Sequence, residues 1–176
     1  MDIKIRKEES SDIEIVYQLV KEAFMNEEYT DHDEHNLVNR LRESKSFIPE
    51  LSLVAVINQQ IVGYILFTKI KIKNEENEYS SLALAPVSVI PDMQGKGIGK
   101  SLIKKGHQIA NELGFKSIIV LGHPGYYHRF GYIPASQFGI NSPFEVPDNA
   151  FMAIALETNN LYLQSGTVIY PEEFFN

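Results

Sequence analysis

The sequence of 176 residues contains no cysteine. This absence excludes a disulfide-stabilised scaffold, a cysteine-ligated zinc site and a cysteine nucleophile. The chain also lacks any run close to the roughly 18 apolar residues that a membrane-spanning helix requires. Its beginning, MDIKIRKEES, lacks the apolar core of a signal peptide. We therefore expect a cytoplasmic protein with no membrane partner.

Basic residues are the minority charge, with 16 lysines and arginines against 23 acidic residues and a net charge of -7. An acidic surface argues against nucleic acid as a general partner. The hydrophobic fraction of 44% and the charged fraction of 22% are typical of a globular protein. No internal repeat or shift in composition marks a boundary. We expect one domain, residues 1–176, with a sizeable core.

Apolar periodicity predicts the order of the helices and strands. The predicted helices are Asp12–Phe24, a second through Leu37 and Leu41, a third from Gly97 to Leu113 ended by Gly114, and a short helix or turn in PGYYHRFGY. The predicted strands are a first around Ile3 and Ile5, a hairpin of LSLVAVI and IVGYILFTKIKI, then LALAPVSVI, FKSIIVLGH, AFMAIALE and Gly166–Tyr170. The segment 133–148 reads as a loop. This pattern predicts an α+β, or mixed α/β, domain with antiparallel strands.

The fourth predicted strand changes phase near its middle. Leu82 and Leu84 share one parity, whereas Val87 and Val89 share the other. Side chains alternate faces with a period of two, so the change predicts an irregularity at Ala85-Pro86. We interpret it as a β-bulge.

The segment Pro91–Leu102, PDMQGKGIGKSL, combines three glycines with two lysines just before a helix. Glycines let the backbone approach an anion closely, and the start of a helix favours negative charge. Residues 94–116 contain five lysines and a single acid, Glu112. The segment therefore predicts a phosphate site, and the alternative is a tight strand–helix turn that binds nothing.

Two nucleotide-binding motifs fit this segment only in part. Gly99-Lys100-Ser101 matches the last three positions of the P-loop pattern GxxxxGK[ST], but Gln94 occupies the position of its first glycine. The dinucleotide pattern GxGxxG begins at Gly95, but Lys100 stands at its third glycine. The residues thus favour neither ATP nor a dinucleotide.

A third pattern, Gln94-x-x-Gly97-x-Gly99, is complete. It resembles the [QR]-x-x-G-x-[GA] signature of the GNAT superfamily of acyl-CoA-dependent N-acyltransferases. The segments LALAPVSVIPDMQGKGIGKSLI and GHPGYYHRFGY resemble a bacterial branch of predicted N-acetyltransferases in that superfamily. The resemblance implies a GNAT-like fold with a mixed, mostly antiparallel sheet of about six or seven strands and about four helices. It also implies that the fourth and fifth strands splay apart.

The resemblance implies acetyl-CoA as cosubstrate and no metal. The implied cofactor-binding positions lie on the fourth strand, in the loop and at the helix start, namely Val87, Ser88, Val89, Gln94, Gly95, Lys96, Gly97, Ile98, Gly99 and Lys100. The implied reaction is direct attack of a primary amine on the thioester in a ternary complex. The competing hypothesis is an acyl-CoA-binding sensor that has lost turnover.

Tyr127 is the general acid that the resemblance implies. In relatives, a tyrosine four residues before a glycine-aromatic pair protonates the departing thiolate, and here Gly131-Tyr132 puts that position at Tyr127. A phenol with a pKa near 10 is protonated at neutral pH. Tyr126 is the competitor for this role, and packing is the alternative role for both rings.

No motif names the base that removes the amine's proton. The candidates are Glu34 and His35 in the second predicted helix, Glu28 before it and His123 after the fifth strand. A solvated or capping role is the alternative for each. The acidic residues 27–34 would attract a cationic amine. His32, Asp33 and His35 lie close in sequence without a matching distant ligand, so we expect no metal site.

The sequence leaves the acceptor and the oligomer open. A small metabolite, an antibiotic, a peptide N-terminus and a protein lysine are all compatible with the pattern. The tail GTVIYPEEFF either packs on its own sheet or buries its aromatic residues against a second copy in a homodimer.

Overall fold

The structure, a computed structural model, describes residues 1–28, 30–156 and 164–176. Its α-helices in these ranges are α1 (Ile13–Phe24), α2 (Glu34–Arg42), α3 (Ile98–Glu112) and α4 (Pro124–Tyr127). Its strands are β1 (Lys4–Lys7), β2 (Ser52–Ile57), β3 (Gln60–Lys73), β4 (Glu78–Val89), β5 (Ser117–Leu121), β6 (Ile133–Pro134), β7 (Ile140–Asn141), β8 (Phe151–Ala155) and β9 (Gly166–Ile169). Within the described ranges no helix is both long enough and apolar enough to cross a bilayer.

The strands form a mixed sheet in the order β1-β2-β3-β4-β5-β8-β6, and β9 pairs with both β3 and β7. The pairs β4–β5 and β7–β9 are parallel. The predicted fold class, with its mixed sheet and four helices, is confirmed. The nine described strands include β6 and β7, which have two residues each and lie in the segment predicted as a loop. Strands this short leave no periodicity to detect.

The described chain divides into two compact units. The first unit comprises Met1–Thr68, Ala85–Ile109 and Glu173–Asn176, and the second comprises Lys69–Leu84 and Ala110–Glu172. Strands β3 and β4 and helix α3 each contribute residues to both units.

The core of the first unit forms on the apolar faces of α1 and α2. Its buried members are Val16, Leu19, Val20, Val38, Leu41, Val54, Tyr64 and Leu66. On α1, Val16, Leu19 and Val20 are buried, whereas Ile13, the first residue of the helix, is 38% exposed. Phe174 packs against the same core, and the Arg40 Nε donates to the Glu173 carbonyl at 3.0 Å. The end of the tail therefore packs on its own unit.

The β2–β3 hairpin turns at Asn58-Gln59. Both residues have positive φ, 49° and 66°, and the flanking Ile57 pairs with Gln60. Positive φ at both central residues is the geometry of a type I′ turn, which matches the twist of the strands it joins. The predicted hairpin is confirmed.

Strand β4 keeps one buried parity through its middle. Leu82, Leu84, Pro86 and Ser88 are buried, whereas Val87 and Val89 are only partly buried. The predicted change of phase is therefore wrong. It assumed that the two valines lie on the buried face because they are apolar, but they lie on the opposite face. The β-bulge loses the pattern on which it rested, and Ala85-Pro86 is instead a cis peptide bond.

The second unit holds the start of the β4–β5 pairing. The pairing joins Leu82 to Ile118 and Ala83 to Ile119, although β4 continues to Val89. Next to it, the buried hydroxyls of Ser81 and Ser117 lie 2.6 Å apart, and Ser81 Oγ also lies 3.1 Å from the Ser117 carbonyl.

Helix α3 ends as predicted but buries a different face at its end. Gly114 has a φ of 89°, and the Phe115 N–H donates to the Ala110 carbonyl at 3.1 Å, as expected for a glycine that terminates a helix. Leu113, the last residue of the predicted helix, is 46% exposed. The helix ends at Glu112, so helical spacing no longer directs the next side chain inward.

In the first unit, two glycines let α3 approach β3 closely. A Cβ on Gly63 would lie 3.0 Å from Ile98 Cγ2 and 3.0 Å from Leu102 Cδ1. A Cβ on Gly106 would lie 2.1 Å from Phe67 Cε2, and Phe67 is fully buried. The close approach of α3 to β3 therefore depends on the absence of a side chain at Gly106, whereas a side chain at Gly63 would require its neighbours to shift slightly.

We expect Gly106→Ala to lower the free energy of unfolding by about 1–3 kcal/mol, the usual cost of overpacking a core. This loss would appear although alanine favours a helix over glycine by about 1 kcal/mol. Urea denaturation measures it, and Lys104→Ala, exposed on the same helix, is the control. A Gly106→Ala variant as stable as the wild type would contradict the contact with Phe67.

Candidate active site

The glycine loop between β4 and α3 lies in the first unit. Residues 91–93 form a 3-10 turn, and Gly95 and Gly97 follow with φ values of 77° and 84°. A Cβ at either glycine would meet nothing within 4 Å, so the space beyond the loop is open. Left-handed backbone is strained for residues with a side chain, so these two glycines give the loop its shape.

The loop presents the start of α3 as an anion site. The Ser101 N–H donates to the Gly97 carbonyl at 3.1 Å. The N–H groups of residues 98–100 precede this bond and have no acceptor within the helix. Ile98 is 1% exposed and anchors the helix start, whereas Lys96 and Lys100 are exposed. Backbone donors, the helix dipole and two lysines together favour a phosphate.

Gln94 ties the loop to the preceding strand. Its side-chain Nε2 donates to the Val89 carbonyl at 3.1 Å. The glutamine of the signature thus holds the loop's backbone to the end of β4. The sequence pattern identified this residue but gave no indication of its partner.

The predicted cofactor positions of β4 differ in exposure. Val87 and Val89 are half-buried, whereas Ser88 is 3% exposed. The Ser88 Oγ is buried and makes no hydrogen bond to any described residue. The strand therefore offers two apolar side chains and its backbone, and the serine hydroxyl points away from solvent.

Tyr127 lies in the second unit, on the short helix α4. The Tyr126 and Tyr127 N–H groups donate to the His123 carbonyl at 3.1 and 3.2 Å. The Tyr127 ring packs edge-on against Tyr126 and Tyr132, with centroids 5.0 and 5.8 Å away. Burial, with a smaller contribution from Tyr126, raises the pKa of Tyr127 above its ordinary value. Its phenol therefore stays protonated well into the alkaline range.

Tyr126, the competing tyrosine, has a different environment. The Arg129 guanidinium carbon lies 5.0 Å from the centroid of its ring, within range of a cation–π interaction. Burial raises the pKa of Tyr126, and Arg129 opposes this effect. Phe130 packs edge-on against the same ring at 5.4 Å. Tyr126 is thus engaged through its ring by three neighbours, including Tyr127.

Glu34 lies in the first turn of α2, in the first unit. Its Oε1 is buried and makes no hydrogen bond to a described residue. Burial raises the pKa of the Glu34 carboxyl, and the charge of Asp31 raises it further. A raised pKa brings a carboxyl closer to the range in which a general base works near neutrality.

His123, the second candidate base, lies in the second unit at the N-cap of α4. It is exposed, and its side chain makes no capping hydrogen bond. Its carbonyl, by contrast, receives the two tyrosine N–H groups. The observed role of His123 is thus carried by its backbone.

The side chains of His32, Asp33 and His35 have separate partners. The Asp33 carboxylate accepts from Asn36 at 2.8 Å and from Arg40 at 2.9 Å. The His35 ring is buried and packs edge-on against Tyr17 at 4.9 Å. Over the described part of the chain, no three His, Cys, Asp or Glu side chains form a group that could hold a metal ion.

Solved acetyltransferase structures share this fold. The crystal structure of the GNAT family N-acetyltransferase YhbS from Escherichia coli, in complex with CoA, matches with a TM-score of 0.88 and 26% identity, over 99% of this chain and 92% of that one. A GNAT family acetyltransferase from Brucella melitensis, in complex with acetyl-CoA, matches with a TM-score of 0.79 and 31% identity, over 98% of both chains.

The sequence itself carries the family assignment. The sequence model of the family described as acetyltransferase (GNAT) domain matches residues 4–135 of this chain. The uncharacterized N-acetyltransferase YjhQ of Escherichia coli K12 is 40% identical over 116 residues, which are 65% of this chain and 64% of that protein. The protein belongs to the GNAT acetyltransferase family.

Gly122 was absent from the predicted site residues. A Cβ at this position would lie 2.6 Å from Tyr127 Cε2. The contact joins the end of β5 to a ring five positions later, and no local pattern announces it.

Proposed function

We propose that the protein transfers an acetyl group from acetyl-CoA to a primary amine by direct attack in a ternary complex. The observation that carries the proposal is the glycine loop that opens α3, in a chain of the GNAT family. The loop offers open space, exposed lysines and backbone donors, which suit the pyrophosphate of CoA. The CoA in the YhbS crystal and the acetyl-CoA in the Brucella melitensis crystal support the same ligand.

The residues proposed to hold the cosubstrate fall into two groups. The pyrophosphate would be held by backbone N–H groups and by the ammonium groups of Lys96 and Lys100. These groups belong to residues 94–100, namely Gln94, Gly95, Lys96, Gly97, Ile98, Gly99 and Lys100. Val87, Ser88 and Val89 would offer their backbone to the amides of the pantetheine arm. When bound, acetyl-CoA supplies an activated thioester, on which a nitrogen–carbon bond forms and a carbon–sulfur bond breaks.

Tyr127 is proposed as the general acid. It would donate its phenolic proton to the sulfur as the carbon–sulfur bond breaks. Burial keeps the phenol protonated, so the proton is present at the pH at which the enzyme works. Tyr126 is the weaker choice because the glycine-aromatic pair Gly131-Tyr132 begins four residues after Tyr127 and five after Tyr126.

Glu34 is proposed as the base that takes the proton released by the amine. We expect Glu34→Gln to lower kcat/KM about 100-fold, the usual scale of general-base catalysis. Because its pKa is raised, wild-type activity should fall as the pH drops through a value above that of an ordinary glutamate, and the variant should lose this limb. Glu43→Gln, exposed at the C-cap of α2 and outside the acidic segment 27–34, is the control for the loss of one negative charge.

An unchanged pH profile in Glu34→Gln would contradict the role of Glu34 and leave His123 or a water chain as the proton acceptor. The acetyltransferase proposal itself would stand, because it does not depend on which group takes this proton.

We also propose that residues 1–176 act as one acyltransferase domain. The family model covers residues of both units, and β3, β4 and α3 contribute to both. The acceptor is proposed to be a small-molecule or peptide amine.

Amine-dependent release of CoA tests the proposal. The protein is incubated with acetyl-CoA and with four amine classes, namely small metabolites, aminoglycosides, peptide N-termini and lysine peptides, and free thiol is followed with a thiol-reactive dye. Because the chain has no cysteine, it contributes no thiol background. Release that requires both protein and amine supports an enzyme. Binding of acetyl-CoA without release for any class would instead favour a sensor.

A further inference from the structure

We propose that Gly122 is a positioning residue for Tyr127. The absence of a side chain at position 122 lets the Tyr127 ring lie against the end of β5, in the place from which its hydroxyl acts. The inference rests on the proposed function, since it assigns Gly122 a role in proton donation to the leaving thiolate. It concerns residues of the second unit alone.

The contact between Gly122 and Tyr127 leaves no room for a Cβ. An added Cβ would lie 2.6 Å from Tyr127 Cε2, 3.2 Å from Cδ2 and 3.6 Å from Cζ. Real Cβ atoms essentially never approach another heavy atom closer than 3.0 Å. An alanine here would therefore force either the ring or the backbone to move.

The backbone at position 122 does not itself require glycine. Gly131, which closes the same segment, has a φ of 100°, but Gly122 is not among the residues with positive φ. A left-handed backbone, the usual reason for a glycine, is therefore not the reason here. The requirement for glycine thus comes from the tyrosine ring.

The backbone of Gly122 is held in place. Its N–H donates to the Ala150 carbonyl at 2.9 Å, and the preceding Leu121 pairs with Phe151 of β8. Moving this backbone would break sheet hydrogen bonds, whereas moving the ring would not. The ring is therefore the partner that yields.

The ring in turn cannot move without a change at its neighbours. It lies edge-on to Tyr126 and Tyr132, and Tyr132 is 1% exposed. If the Tyr127 ring tilts away from position 122, its hydroxyl is displaced the most, because it is the atom of this side chain farthest from the Tyr127 Cβ. A general acid must lie within hydrogen-bond reach of its acceptor, and a displacement of about 1 Å costs up to about 100-fold in rate.

A double-mutant cycle tests the proposal with wild type, Gly122→Ala, Tyr127→Phe and the double variant. We expect Gly122→Ala to lower kcat at least tenfold and to leave the dissociation constant of CoA within about twofold. In the Tyr127→Phe background the same substitution should change kcat less than about threefold, because the hydroxyl it misplaces is already gone. Additive losses in kcat would overturn the positioning role.

Gly125→Ala is the matched control. Gly125 lies on the same short helix, has no positive φ, and a Cβ there would meet nothing within 4 Å. Its kcat should equal that of the wild type. A Gly122→Ala variant that behaves like Gly125→Ala would contradict the proposal.

Thermal unfolding covers the case in which Gly122→Ala folds poorly. Gly122→Ala is therefore also compared in the Tyr127→Leu background, where the Cε2 and Cζ atoms that the new Cβ would strike are absent. The midpoint lost on Gly122→Ala should be much smaller in that background than in the wild type, whatever Tyr127→Leu itself costs. An equal loss in both backgrounds would show that the ring is not the obstacle, and the inference would fail. A wild-type protein that releases no CoA with any amine would instead refute the proposed function, while this stability comparison still decides the contact.

Discussion

Tyr127→Phe is expected to lower kcat about 100-fold while the dissociation constant of CoA changes less than about twofold. General acid catalysis typically contributes factors of about 100 to 10,000, and the substitution removes only the hydroxyl. The ring and its edge-on contacts with Tyr126 and Tyr132 would remain. Steady-state kinetics with the best amine acceptor, together with titration of CoA by calorimetry, separate the two quantities.

Tyr126→Phe is the matched control, because it makes the same chemical change one residue earlier. Its kcat should stay within about threefold of the wild type, since the cation–π and aromatic contacts involve the ring and not the hydroxyl. A loss of kcat in Tyr126→Phe but not in Tyr127→Phe would identify Tyr126 as the general acid. Wild-type kcat in both variants would show that neither tyrosine hydroxyl acts as the general acid.

The raised pKa of Tyr127 gives the acid a defined pH signature. The phenol is active when protonated, so activity that depends on it persists as the pH rises and falls only when the phenol ionises. Because burial raises this pKa, that fall should lie above the ordinary tyrosine value of about 10. Tyr127→Phe should have no such limb, although its overall rate is lower.

Gly97→Asp is expected to weaken CoA binding at least about 100-fold, equivalent to about 2.7 kcal/mol. The carboxylate would occupy the open space at the helix start and repel a pyrophosphate there. A side chain at a φ of 84° is strained, but a carboxylate at a helix N-terminus offsets part of this cost, so the fold should survive. Calorimetric titration with CoA measures the change.

Gly114→Asp is the control for the backbone strain and the negative charge that Gly97→Asp introduces. Gly114 has a φ of 89°, close to the 84° of Gly97, and a Cβ at either site meets nothing within 4 Å. Both substitutions therefore impose similar backbone strain and the same added charge at opposite ends of α3. Gly114→Asp should bind CoA like the wild type, although its carboxylate opposes the helix dipole and costs more stability. Equal weakening by both variants would mean that the loss comes from charge or strain and not from the loop.

Local signals in the sequence predicted the features that depend on a few adjacent residues. Three polar residues, Asn58-Gln59-Gln60, between two apolar runs predicted the hairpin, and glycines at positions 97 and 114 predicted both ends of α3. In each case the cause is the conformational freedom of one or two residues, and this freedom is visible in the sequence. The glycine loop was predicted for the same reason.

Features that depend on contacts across the fold were not predictable in this way. Val87 and Val89 are apolar but half-buried, so hydrophobicity alone misjudged the parity of β4. The bond between Gln94 and the Val89 carbonyl, and the contact between Gly122 and the Tyr127 ring, depend on how a turn brings two segments together. Neither has a signature in residue type or spacing.

Thermal unfolding with acetyl-CoA, CoA or Mg-ATP added separately tests the central claim that the QGKGIG loop belongs to an acetyl-CoA site. A ligand that binds only the folded state adds about 2.7 kcal/mol of stability at a hundredfold excess over its dissociation constant. We predict that acetyl-CoA and CoA raise the unfolding midpoint and that Mg-ATP does not. An unchanged midpoint with both CoA species at millimolar concentration would mean that the glycines form only a turn, and it would contradict the acetyltransferase account.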